Sequence, residues 1–146
     1  MSISKEKVEN VWSMRKRAED DEHGYERVDD GIIPAKLYHG SRKNSDMAWE
    51  VDHIFPEDIL KKLGVPEDLI DNELNLRPLH HSNNESKGTK FPSYEKVVCW
   101  DEGQQKNVSC KQNVQITVEK IKELENLYKD YLNGKSLEEI AEEYNK

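Results

Sequence analysis

Asp52 and His53 stand side by side, and downstream come Asn75, Asn84 and Lys87 in the run Asn75-Leu-Arg-Pro-Leu-His-His-Ser-Asn-Asn-Glu-Ser-Lys-Gly88. An acid, an imidazole, two amides and an ammonium together suit hydrolysis of a phosphodiester. Asp and Asn offer oxygen ligands to a hard Mg²⁺ or Mn²⁺ ion. A neutral His can take a proton from water, and Lys can offset phosphate charge. Taken singly, each has an ordinary explanation: Asp52 as a turn residue, His53 as a hydrogen-bonded structural histidine, Asn84 as a helix cap. The ordered combination is what points to chemistry.

The flanking sequence must position these groups. In Trp49-Glu-Val-Asp-His-Ile-Phe-Pro56 the aromatic and β-branched residues favour a strand, and Pro56 stops it. Asp52 and His53 then project from opposite faces, so one can hold a metal while the other works on water. Leu74, Leu76 and Leu79 offer apolar anchors, and Pro78 marks a strand edge or end. Ser82 or Asn83 is expected to cap a short helix on which Asn84 and Lys87 share a face. Its N-terminus would add backbone donors for a phosphate. Residues 57–64 and 65–70 read as one or two short helical turns inserted between the strands, expected at the surface and without effect on the chemistry.

Trp49-Glu-Val-Asp-His-Ile-x-Pro56, then Asn75-Leu-x-Pro-Leu79, then Asn84-x-x-Lys-Gly88 resembles the HNH endonuclease superfamily. The resemblance implies an α+β fold with a ββα-metal (His-Me finger) core and flanking helices at both termini. It makes Asp52 and Asn84 the ligands of one Mg²⁺ or Mn²⁺ ion and His53 the general base. By the same likeness Asn75 steadies the loop around His53, Asn84 stands where many members carry a final His, and Lys87 lies on the phosphate side. Cleavage of DNA would leave a 5′-phosphate and a 3′-hydroxyl. Upstream, the residues from Val11 to Glu50 resemble small single-domain bacterial and phage members more loosely. Many members hold a structural zinc with Cys-x-x-Cys pairs; His80 and Asn83 stand at one such pair here, so no structural zinc is expected. His80 and His81 remain additional candidates for metal or phosphate contact. The alternative from another class is a non-catalytic DNA-binding or protein-interaction module that keeps the scaffold.

Composition bounds the rest. The 146 residues are 34% hydrophobic and 36% charged, which suits one modest domain with a small core. The expected division is a nuclease domain over 1–113, with its core at 47–90, and a helical extension over 114–146. No apolar run approaches the roughly 18 residues of a membrane span, nor is there a signal-peptide layout. A soluble chain in the cytoplasm of a bacterial or phage-infected cell is expected. The net charge of −8 argues against a general basic coat for nucleic acid. Local cations exist nonetheless at Arg15 to Arg17, Lys36, Arg42, Lys43, Arg77, Lys87 and Lys90, and Arg42, Lys43, Arg77 and Lys87 are the candidate DNA contacts.

Cys99 and Cys110 flank a turn-like stretch and leave three alternatives open: reduced core residues, a disulfide across a hairpin, or half of a metal site. At the amino end, Ser4 caps a helix expected to run to about Glu19, with Val8, Val11, Trp12 and Arg15 along one face. Asp29-Asp-Gly31 reads as a turn. Thr117 opens a helix to Tyr131, Asn133-Gly134 ends it, and Ser136 to Tyr144 forms a second. This acidic hairpin is expected to pack on the core or on a second subunit, which leaves room for a homodimer.

Overall fold

The structure, a computed structural model, describes residues 4–13, 25–28, 31–34, 49–101, 103–104 and 106–146. Among them the fold is mixed α+β, with six α-helices and three two-stranded antiparallel sheets.

Helix α1 (Lys5–Ser13) begins where Ser4 Oγ accepts the Lys7 N–H at 3.2 Å. Val11 is buried, and Lys7 Nζ donates to the Asp71 carbonyl at 2.7 Å. The expected continuation to Glu19 lies outside the described residues, as do Arg42 and Lys43. Strands β1 (Tyr25–Val28) and β2 (Gly31–Pro34) pair antiparallel, Val28 opposite Gly31; Asp29 and Asp30 of the expected Asp29-Asp-Gly31 turn lie outside the described residues.

Strand β3 (Trp49–His53) pairs with β4 (Leu76–His80), Asp52 opposite Arg77 and His53 opposite Leu76. Between them run α2 (Glu57–Lys62), α3 (Glu67–Ile70) and a 3-10 turn at Glu73–Asn75. Pro56 and Pro66 stand just before the two short helices, where a missing N–H costs nothing, and acidic residues fill both first turns. This insertion was expected at the surface, and the structure corrects that. Ile59, Leu60, Val65 and Ile70 are buried in the main core beside Ile54 and Phe55. In a chain only 34% hydrophobic, those side chains are too large a share of the apolar supply to be left in water.

Helix α4 (His81–Lys87) follows β4 without a linker. Its cap is His80, whose Nδ1 accepts the Ser82 N–H at 3.1 Å, rather than Ser82 or Asn83. Asn83 is drawn inward instead. Its side chain accepts from Val97 N at 2.8 Å and Val98 N at 2.9 Å, and donates to Val98 O at 3.1 Å. Those contacts fall where the pairing of β5 (Ser93–Asp101) with β6 (Lys106–Gln115) shifts register, between Lys96 and Val98. A disulfide joins Cys99 to Cys110 across this pair and decides among the three alternatives for the cysteines.

Helix α5 (Val118–Tyr128) is capped by Thr117, and α6 (Leu137–Tyr144) by a reciprocal box between Ser136 and Glu139. Asn133 and Gly134, at φ 51° and 78°, reverse the chain between them. Ile121, Leu124, Tyr128, Leu137, Ile140 and Ala141 enter the same core as the α2 and α3 residues. At the end of α6, Asn145 Nδ2 donates to the Thr89 carbonyl at 2.9 Å while Thr89 Oγ1 donates to Asn145 Oδ1 at 2.7 Å. No helix among the described residues is long and apolar enough to cross a membrane.

Candidate active site

Alternation along β3 sends Glu50 and Asp52 to one face and His53 to the other. Helix α4 packs on the first face. Asn84 Nδ2 donates to Glu50 Oε1 at 2.9 Å, which turns the Asn84 amide oxygen away from that carboxylate. One turn later Lys87 Nζ lies 3.2 Å from Asp52 Oδ1 and donates to the His53 carbonyl at 3.0 Å. From β4, Arg77 Nε donates to Asp52 Oδ2 at 2.9 Å, and the same guanidinium donates to Tyr94 Oη at 3.0 Å and lies over the Tyr94 ring. Asp52 is 4% exposed and Lys87 1%. Burial pushes the Asp52 carboxyl up, but Lys87 and then Arg77, through charge and hydrogen bonds, outweigh it and hold the group below its ordinary value.

His53 meets a different neighbourhood, made by the insertion. Its Nε2 lies 2.8 Å from Asp71 Oδ1 and 4.0 Å from Glu57 Oε2. That Glu57 oxygen is buried and has no hydrogen-bond partner among the described residues. His53, Glu57 and Asp71 could together coordinate a divalent ion, since their ligand atoms all lie within 4.8 Å of one another. Asp71 also faces Tyr128. Burial and the Asp71 charge push the Tyr128 hydroxyl up, while that hydroxyl donates to the Leu69 carbonyl at 2.8 Å.

Asn75 is fully buried between β3 and the core. Its Oδ1 accepts the Phe55 N–H at 2.7 Å and its Nδ2 donates to the Phe55 carbonyl at 3.1 Å. Its own carbonyl accepts the Ile54 N–H at 2.8 Å. One residue therefore holds the backbone immediately after His53 by three bonds.

Asp52, His53 and Asn84 line one cleft of about 270 Å³ with Val51, Pro56, Glu57, Asp58, Gly88 and Thr89. Asn75, Lys87 and Arg77 stand behind it rather than on its wall. His80 is buried as the cap of α4 and stacks on His81 with ring centroids 4.7 Å apart; neither lines the cleft. Sequence reasoning missed Glu50, Glu57 and Asp71. Glu57 carried a weak signal, one helical turn beyond His53 and just after Pro56. Asp71 carried none, because nothing in the spacing of the connection says where it folds back.

Comparisons with protein-family models, with curated proteins and with solved structures return no match to this chain. The HNH resemblance therefore rests on the residues quoted for it.

Proposed function

We propose that the chain is a metal-dependent DNA endonuclease of the HNH kind, with β3, β4 and α4 as its ββα-metal unit. The observation that carries this reading is the convergence of Asp52, His53 and Asn84, from two separate stretches of sequence, on one cleft. A second observation suits a metal: among the described residues, the wall of the cleft carries the carboxylates of Asp52, Glu57 and Asp58, oxygen donors of the kind a divalent cation takes.

Asp52 and Asn84 would supply the oxygen donors for one Mg²⁺ or Mn²⁺ ion, with an Asp52 oxygen exchanging its bond to Lys87 or Arg77 for the metal. When bound, such an ion polarises the scissile phosphate and offsets charge on the departing 3′-oxygen. His53 removes a proton from the attacking water. Asn75 keeps the His53 loop in place, and Lys87 holds Asp52 and the His53 carbonyl while contributing positive charge behind the phosphate. Products are a 5′-phosphate and a 3′-hydroxyl.

Incubation of plasmid and single-stranded DNA with Mg²⁺ or Mn²⁺ tests the proposal. Cleavage is expected, is abolished by EDTA and is lost in His53→Ala without loss of fold. Undiminished cleavage by that variant, or in chelator, overturns it. The second reading, a non-catalytic DNA- or protein-binding module, draws on the two cations already engaging Asp52; DNA binding with no cleavage under any metal selects it.

The setting proposed is the cytoplasm of a bacterial or phage-infected cell. The Cys99–Cys110 disulfide pulls the other way, since such bonds persist mainly in oxidising compartments. The cytoplasmic setting requires that cleavage be unchanged in dithiothreitol.

A further inference from the structure

We infer that Asp71, supplied by the connection between β3 and β4, is a positioning residue that holds His53 by its Nε2–H and leaves Nδ1 as the proton-accepting nitrogen. The inference rests on the nuclease reading and extends it, because position 71 belongs to none of the stretches that carry the HNH resemblance.

The same atoms, with Glu57, could instead hold a divalent ion, and the test below separates the two arrangements. The observed 2.8 Å between His53 Nε2 and Asp71 Oδ1 is a direct hydrogen bond. A carboxylate can only accept, so the proton of that bond sits on Nε2. A neutral imidazole then has its lone pair on Nδ1, and His53 lines the cleft in which the attacking water would sit.

Asp71 is held firmly enough to impose this. It is buried, and its N–H donates to the Glu67 carbonyl at 2.9 Å. Lys7 of α1 donates to its carbonyl, Tyr128 of α5 donates to Leu69 two residues earlier, and Asn75 Nδ2 reaches the Ile70 carbonyl at 3.4 Å. Two helices outside the β3–β4 segment, together with Asn75, thus fix the backbone from Leu69 to Asp71, and with it the carboxylate that meets the imidazole.

Asp71→Asn keeps the shape but replaces an acceptor-only group by one that can also donate, which releases the choice of tautomer. In ¹⁵N-histidine spectra of metal-free protein, the wild type is expected to show His53 protonated at Nε2 alone, and the variant to populate the Nδ1–H form. In the plasmid assay with Mg²⁺, kcat is expected to fall at least about 100-fold with KM within about twofold, the pattern of a histidine left in the wrong tautomer. An unchanged His53 signature with unchanged kcat overturns the inference. So does a one-to-one Zn²⁺ complex lost in both Asp71→Ala and Glu57→Ala, since Nε2 would then be a ligand. A wild type with the Nε2–H signature that cleaves no DNA supports the pairing and overturns the nuclease reading instead.

Discussion

Two neighbours on one strand end in opposite electrostatic worlds. Asp52 lies between Lys87 and Arg77, cations that come from α4 and β4 within the compact β3–β4–α4 unit. His53 lies against Asp71 and Glu57, acids that come from the intervening connection. The first side is closed and built within one supersecondary unit; the second lies nearer in sequence but belongs to a connection whose placement depends on the core. The acid side therefore combines a structural with a chemical duty, while the imidazole side can be altered with less harm to folding.

The contrast can be broken by measurement. Asp52→Ala leaves Lys87 buried without its acid and should cost about 3–5 kcal/mol in urea denaturation. Asn75→Ala orphans the Phe55 N–H and carbonyl and should cost about 3 kcal/mol. His53→Ala leaves the Asp71 carboxylate without its partner and should cost about 1–3 kcal/mol; a loss equal to that of Asp52→Ala removes the contrast. Tyr128→Phe removes one hydrogen bond to Leu69 and should cost about 1 kcal/mol. Titration sharpens the same point. Because the folded Asp52 carboxyl lies below its ordinary 3.8, its contribution is complete above that unfolded value and disappears as pH falls through the lower folded one. The stability gap between wild type and Asp52→Asn should stay constant from about pH 7 to about pH 5 and close in stronger acid.

What could be read in the sequence was what short-range rules govern. The alternating Trp49 to His53 strand, the Thr117 cap and the Ser136–Glu139 box are local, and each stands where its residues imply. The cap of α4 was misread because three polar residues competed for one role. Asn83 went to the open backbone groups of β5, and His80 took the cap. The insertion was misread for a different reason: helical turns report their periodicity but not which surface will cover them. Asp71 reaches His53 only because Ile59, Leu60 and Ile70 pull the whole connection into the core.

The clasp between Asn145 and Thr89 has a practical consequence. Thr89 stands on the rim of the cleft, and Asn145 also ties back to the Ala141 carbonyl at 2.9 Å. Anything that settles in the cleft and stiffens its rim should slow amide hydrogen exchange in the last turn of α6. That turn thus offers a label-free gauge of occupancy, readable by mass spectrometry without altering any residue that lines the cleft.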